Sequence, residues 1–415
     1  MIVEFRVRNY RSIKEEQVLS LVAQKDKVYA DTHIIKTGIE SIPELVQSAV
    51  LYGPNASGKT NLLRALRYMQ AVVAQSATIM QAGETFNVQP FKLDSKTEQE
   101  ASEFELTFIH DTTRYQYGFK LTAERIHEEW LLVYKKSKPQ EWFTRHYDSS
   151  KNKDKYKLGS HLTGQRKLWQ ESTRANALFL STAVKLNSEQ LLPIFSCIAN
   201  DIIIFTSDQS PNPGITTQML QDNELNRTIT SFLLSADINI SKISILKKKE
   251  PTHSVQLDIL TGQTKNFQKQ EAEIISPLFH HKNEDKEVVF EFADESHGTR
   301  RLFSYAGPIL KILEQGQTLI IDELDSSLHP LLVKHLINMF HDPKINTKGA
   351  QLIFSTHNTS LLDQSIFRRD QVWFVEKKRD GASTLYPLTD FSPRKNEALE
   401  SGYLMGRYGS IPLLP

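Results

Sequence analysis

A chain of 415 residues with 39% apolar and 24% charged side chains has the composition of a folded globular protein, not of a disordered one. Its 50 basic side chains balance 49 acidic ones, for a formal net charge of +1. That excludes a globally basic nucleic-acid coat and an acidic tail protein, while local patches stay open. The single cysteine, Cys197, excludes an intrachain disulfide and any cysteine-clustered zinc or iron–sulfur centre. The opening MIVEFRVRNYRSIKEE is charged throughout and lacks the apolar core of a signal peptide. No window approaches the roughly 18 apolar residues of a membrane span. The expectation is a soluble, cytoplasmic protein of two or three lobes with no membrane contact.

Residues 1–22 alternate, with Ile2, Phe5 and Val7 among polar positions and Val18, Leu19 and Leu21 after them. This predicts an opening strand or hairpin. QSAVLY at 47–52 is a short apolar run, followed at once by GPNASGKT and then by NLLRALRYMQAVVA with helical spacing. From 103 to 134, EFELTFI, RYQYGFKL and WLLVY predict antiparallel strands decorating the first lobe. Between 135 and 167, ten Lys and Arg stand against three acids, a net of +7. Residues 168–236 read mostly helical, interrupted by DIIIF and the turn-rich SDQSPNPG. Strand patterns resume at 237–260 and 287–292. A helix follows at 299–315, a strand at 317–321, a helix at 327–340, a strand at 351–355 and then a β-rich tail. No internal repeat or sustained heptad run occurs, which excludes long coiled-coil arms. The expected division is an N-terminal lobe at 1–134, a basic, mostly helical insertion at 135–236 and a C-terminal lobe at 237–415. The insertion separates two halves whose motifs need each other.

Gly53-Pro54-Asn55-Ala56-Ser57-Gly58-Lys59-Thr60 satisfies G-x-x-x-x-G-K-[ST] in the strand–loop–helix order that a phosphate-binding unit requires. Such a loop wraps a phosphate with inward backbone N–H groups, and glycines at its bends allow the dihedrals. Lys59 then reaches the β- and γ-phosphates, Thr60 offers a hydroxyl to Mg²⁺, and the helix directs its positive end at the same oxygens. Leu319-Ile320-Ile321-Asp322-Glu323 reads as a buried strand ending in two carboxylates. A parallel strand beside the phosphate-loop strand would deliver them to the same crevice, Asp322 holding Mg²⁺ and Glu323 polarising the attacking water. Gln351–His357 is another strand, ending in Ser-Thr-His. His357 there is placed to hydrogen-bond the γ-phosphate and the water.

GPNASGKT, LIIDELDSSLHP and FSTHN together resemble an ABC-type ATPase head, the class shared by SMC, RecF and overcoming-lysogenization-defect ATPases. The implied fold is α/β, a P-loop head with a parallel-sheet core and an antiparallel β subdomain. GPNASGKTNLLRAL, FLLSADINI, DELDSSLHP, RRDQVWFVEK and YLMGRYGSIP are similar to segments of stand-alone bacterial ATPases related to RloA and the abortive-infection AbiL proteins. The resemblance implies ATP and Mg²⁺ as cofactors, with nucleotide contacts extending to Asn61 and, in EFRVRNYRSI, to Arg11. It implies a dimer of heads, each completed by a signature segment of the other. Glu295-Ser296-His297-Gly298-Thr299 departs from the usual Leu-Ser-Gly-Gly-Gln but supplies a hydroxyl, a glycine and helix-start N–H groups for the opposite γ-phosphate. The alternative is a plain N-cap at Ser296. Asp325 falls at the dimer-contacting aspartate, and Gln89, in VQPF, matches best the glutamine that completes Mg²⁺ coordination.

The +7 stretch, interleaved with Tyr134, Trp142, Tyr147, Tyr156 and Trp169, is either a DNA- or RNA-binding surface or a solvated loop. No Toprim-like acidic cluster or HNH pattern is present, so nucleic-acid cleavage would fall to a separately encoded effector. The resemblance implies such a Toprim or HNH partner in phage defence. Against a regulatory ATPase of that kind stand a DNA-repair ATPase acting directly on DNA and an ATP-dependent scaffold with little turnover. The tail Tyr403–Pro412 has no assigned role.

Overall fold

The computed structural model describes residues 1–207, 211–235, 240–257, 264–282, 286–394 and 397–411. Two compact units divide the chain: Met1–Gln209 with Ile312–Ser326 and Val333–Pro415, and Ser210–Lys311 with Ser327–Leu332.

The first unit is built on two sheets. One has five parallel strands in the order Ile202–Phe205, Thr318–Ile321, Gln351–Ser355, Ser48–Tyr52 and Val372–Lys377, with Ser383–Pro387 antiparallel at the edge. SAVLY, TLII and QLIFS are buried at every position, as strands covered on both faces must be. The other sheet is antiparallel and seven-stranded, in the order Lys153–Leu158, Gln140–Asp148, Ile126–Tyr134, Thr113–Leu121, Ser102–His110, Ile2–Arg8 and Gln17–Ser20. The opening hairpin and the three strands expected at 103–134 are all present in it. Helix Lys59–Gln75 buries Leu62, Leu63, Leu66, Met69 and Val73, a helical stripe. One apolar cluster joins that stripe to Phe5, Phe104 and Phe119 of the antiparallel sheet and to Leu51, Ile320 and Ile353 of the parallel one. The fold class is the expected one: an α/β head with a parallel core and an antiparallel subdomain.

Three expectations change. The acidic strand Thr318–Ile321 is not beside the phosphate-loop strand; Gln351–Ser355 lies between them. The expected boundary after 134 falls inside one sheet, because Gln140–Asp148 and Lys153–Leu158 extend it. The aromatic residues of the basic stretch do not form a stacking platform. Trp142 and Trp169 are 5% and 2% exposed in the core, and Tyr156 packs against it. Arg145 is buried too, donating to Asp154 (2.9 Å) and to the carbonyls of Ala177 (2.6 Å) and Arg174 (3.0 Å). Lys153, Lys155 and Lys157 are exposed along an edge strand, where lysines hinder sheet-to-sheet pairing. Two of them are neutralised locally, by Asp148 (2.6 Å) and Glu141 (2.9 Å).

In the second unit, helices Pro213–Met219 and Asn223–Ser235 accompany an antiparallel sheet of Lys242–Leu257, Thr264–Lys282 and Glu287–Glu291. The strand at 264–282 was not predicted, since Pro277 and the polar run KNFQKQE mask its alternation. Residues 208–210 of the turn-rich segment, 236–239 of FLLSADINI, 258–260 of the strand pattern and Pro412 of the tail lie outside the described residues. Among the described residues no helix is long and apolar enough to cross a membrane.

Candidate nucleotide-binding site

The phosphate loop leaves the parallel sheet at Tyr52 and enters the helix at Lys59. Gly58 stands at the helix N-cap with φ 113°, a left-handed geometry that favours glycine, and a Cβ there would collide with the Ser383 hydroxyl. The first helical turn has neither a side-chain cap nor an acidic residue, so its N–H groups suit an anion. Ser57 is 1% exposed, yet its hydroxyl has no hydrogen-bond partner. Lys59 is buried and turns its ammonium to the carbonyls of Gly53 (2.6 Å) and Pro54 (3.1 Å). Burial pushes it down to about 8, while Asp322, Glu323 and Asp325 pull the other way. Thr60 follows on the same turn, half-buried.

Asp322 and Glu323 emerge at the end of the acidic strand, one strand removed from the phosphate-loop strand and held by a serine from the strand between. The Ser355 hydroxyl donates to Asp322 Oδ1 (2.6 Å) and accepts from the Glu323 backbone N–H (2.8 Å). Ser207 donates to Asp322 Oδ2 at 3.2 Å. Glu323 lies at φ 54°, a strained conformation for a non-glycine residue and one that concentrates at functional sites. Two residues on, Asp325 Oδ2 accepts the His357 backbone N–H (3.3 Å), and its Oδ1 is buried without a partner. Desolvation and then the Lys59 ammonium hold the His357 imidazole below the ordinary histidine range, against the three carboxylates. A neutral ring there can both donate and accept.

The structure therefore brings Gly53–Thr60, Asp322, Glu323, Asp325 and His357 together at the C-terminal ends of three parallel strands. A cleft of 690 Å³ opens beside them, lined by Gly53, Pro54 and Asn55, by Thr356 and His357, and by Tyr403. Other expected residues are placed differently. Asn61 donates to the Ser12 hydroxyl (2.8 Å), in a network that runs through Ser383 to the Ser57 carbonyl (2.6 Å). It braces the loop from outside. Arg11, at φ 51°, donates its backbone N–H to the Gln89 carbonyl (2.7 Å) and its Nε to Tyr10 (3.2 Å). Those two residues meet each other. Ser296 and Gly298 belong to the second unit, where the Ser296 hydroxyl accepts the Thr299 N–H (3.1 Å) as an N-cap. A Cβ on Gly298 would lie 3.1 Å from the Ser327 carbonyl oxygen.

The donor set fits a nucleoside triphosphate with Mg²⁺. The uncapped helix start, the unpartnered Ser57 hydroxyl and the Lys59 ammonium suit phosphate oxygens, and the Thr60 hydroxyl with the Asp322 carboxylate suits a hard cation. Sequence reasoning gave no role to Ser355, Ser207 or Ser383, whereas the resemblance places the Arg11-Ser12 pair near the nucleotide. The available signal was a hydroxyl at a strand end or hairpin edge facing the motif, visible only once strand order is known.

Comparison with solved structures finds an SMC head domain from Thermotoga maritima at 13% identity and TM-score 0.41, over 93% of this chain and 98% of that one. An SMC head bound to the C-winged helix domain of ScpA matches at 12% identity and TM-score 0.41, over 93% and 97%. An SMC head with an extended coiled coil, bound to the C-terminal domain of ScpA derived from Pyrococcus furiosus, matches at 12% and 0.39, over 98% of each. No curated protein matches the sequence. Residues 48–363 match the family model described as "AAA domain, putative AbiEii toxin, Type IV TA system". That match runs from the phosphate-loop strand past His357 and covers most of the sequence, so the chain belongs to this family of P-loop AAA ATPase domains.

Proposed function

We propose that the protein binds ATP with Mg²⁺, hydrolyses it, and uses the cycle of head pairing and release to control a separately encoded effector in bacterial anti-phage defence. The observation that carries the catalytic part is the Ser355 clamp. One hydroxyl fixes both the Asp322 carboxylate and the Glu323 backbone at the strand ends that flank the phosphate loop. In this reading Lys59 and the first-turn N–H groups bind the phosphates, and Thr60 and Asp322 hold Mg²⁺, which neutralises charge on the phosphoryl oxygens. Glu323 accepts the proton of the attacking water, and His357 orients that water. Gln89 and Arg11 are assigned to the periphery of the site. A second copy docks Ser296 and Gly298 on the γ-phosphate and meets Asp325, whose buried, unpartnered Oδ1 is an acceptor suited to a partner's donor. The family description, a toxin of a toxin–antitoxin system, supports the defensive setting. A nuclease of Toprim or HNH type is the effector that the reading favours.

Glu323→Gln tests the catalytic assignment. Steady-state ATP hydrolysis is expected to fall by about 10²–10⁴-fold with ATP binding retained, as for loss of a general base. Turnover equal to wild type removes Glu323 from the mechanism, and a wild type without ATPase activity favours a scaffold.

A further inference from the structure

The C-terminal segment 397–411 is packed around one phenylalanine. Tyr403 and Tyr408 both stack on Phe374, with centroids 5.5 and 5.7 Å away and planes 15° and 20° from parallel. Phe374 is in register with Tyr52, the last residue before Gly53, and Tyr52 packs on Tyr403 at 5.9 Å. Hydroxyls fix the remainder. Tyr403 donates to the Ser410 carbonyl (2.8 Å), Tyr386 to the Tyr408 carbonyl (3.0 Å) and Tyr408 to Glu397 (2.7 Å). The buried Ser410 hydroxyl donates to the Val375 carbonyl at 2.6 Å. A Cβ on Gly402 would lie 2.9 Å from the Tyr408 hydroxyl, so the glycine lets that ring pack closely. Ser410 sits at φ 55°, and such strain persists only where the surroundings over-determine it.

The segment meets the phosphate loop at the loop's first bend. A Cβ on Gly53 would collide with the Val375 carbonyl, the atom that anchors Ser410. The same point lies 2.8 Å from Ser57 Oγ, the hydroxyl with no partner, and 3.0 Å from Ser410 Oγ. Tyr403, Leu404 and Ile411 line the 690 Å³ cleft together with Gly53–Asn55 and His357. A second tie runs from Thr359, two residues past His357, whose hydroxyl donates to Glu400 at 2.7 Å.

We propose that 397–411 is a positioning element of the nucleotide site, in which Tyr403 and Ser410 hold the first bend of the phosphate loop in its phosphate-accepting shape through Val375 and Gly53. The inference rests on the ATP-binding reading above. Neither side chain touches the reacting atoms, so their loss weakens ATP binding and leaves the hydrolytic step to Asp322 and Glu323. A segment that merely braced the fold would lower thermal stability without changing the loop.

The double variant Tyr403→Phe/Ser410→Ala removes both hydroxyls and keeps every ring. Titration with Mg-ATP and steady-state kinetics are expected to show Kd and KM raised about tenfold with kcat within twofold of wild type. Amide exchange at 53–58, read by mass spectrometry in nucleotide-free protein, is expected to quicken in the same variant. Should the double variant not fold, Ser410→Ala alone is carried through both measurements. Wild-type protein that binds no ATP overturns the ATPase reading and this inference with it. A folded variant whose ATP affinity and loop exchange match wild type overturns this inference alone.

Discussion

Two of the buried charged centres in the first unit, Glu129 with Arg145 and the phosphate loop, are finished to different degrees. At Glu129, 0% exposed, both carboxylate oxygens are met by the protein. Oε2 accepts the Phe179 N–H (2.6 Å), and Oε1 accepts the Leu180 N–H (3.0 Å) and the Tyr117 hydroxyl (3.0 Å), with Arg145 at 3.9 Å. Burial raises its pKa, and the Arg145 charge and the two N–H donors oppose that rise. Of Arg145, only Nε lacks a partner. At the phosphate loop the order is reversed. Ser57 Oγ and Asp325 Oδ1 are buried with nothing to bond, and burial drives Lys59 down to about 8 although Asp322, Glu323 and Asp325 oppose it, its ammonium hydrogen-bonded to loop carbonyls. Here the incomplete groups stand beside an uncapped helix start and a buried ammonium, a combination that suits a ligand which finishes the set. A completed set marks structure.

Perturbing the finished centre should cost stability and little else. Glu129→Ala leaves Arg145 buried with a weakened counter-charge and strips the acceptor from the Phe179 and Leu180 N–H groups at the start of helix Phe179–Lys185. The expected loss is about 3–5 kcal/mol, the scale for removing one member of a buried ion pair. Urea unfolding reads it, and ATPase activity per folded molecule should be unchanged at low temperature. A loss below about 1 kcal/mol would show that the centre relaxes or admits water, and the contrast between the two centres would fail.

The two centres were not equally visible in the sequence. The phosphate loop, the acidic strand and the Ser-Thr-His strand were readable because their chemistry prescribes residue types at fixed local spacing, and the strand–loop–helix order came with them. What closes the site was not readable. Ser355 lies 33 residues from Asp322 and Ser207 lies 115 residues from it, and only the strand order brings them to the same carboxylate. The same gap misplaced the acidic strand by one position in the sheet. In the basic stretch, composition alone suggested a nucleic-acid surface. Charge counts do not say which way a strand faces: Arg145 points into the core and Lys155 out, on strands that pair with each other. Glu129 carried no signal, since a glutamate in HEEWLLVY reads as an exposed position of an alternating strand.

Ser355 stands between the two cases, a finished hydrogen-bond node that serves the unfinished site. Ser355→Ala takes a donor from Asp322 Oδ1 and an acceptor from the Glu323 N–H, at a residue already strained at φ 54°. Groups that orient a metal-holding carboxylate are worth about 10–100-fold in activity. The expected result is a drop of that size in kcat, smaller than for Glu323→Gln, with ATP affinity nearly kept and unfolding little altered. A variant that loses stability and keeps kcat would move Ser355 to the structural side.

The smallest expected effect has the opposite sign to Glu129→Ala. Lys59→Met keeps the buried stem and removes an ammonium that burial disfavours in the folded protein, where its pKa is lowered to about 8. Nucleotide-free Lys59→Met should therefore be more stable than wild type, by on the order of 1 kcal/mol, the common outcome when a binding group held ready for its ligand is replaced. Addition of Mg-ATP should reverse the ranking. At a ligand concentration 100 times Kd the wild type gains about 2.7 kcal/mol by mass action, and the variant, having lost its phosphate contact, gains almost nothing. Thermal unfolding of both proteins with and without Mg-ATP reads the crossing. If the nucleotide-free variant is instead clearly destabilised, the Gly53 and Pro54 carbonyls depend on Lys59 as Phe179 and Leu180 depend on Glu129, and the two centres are alike after all.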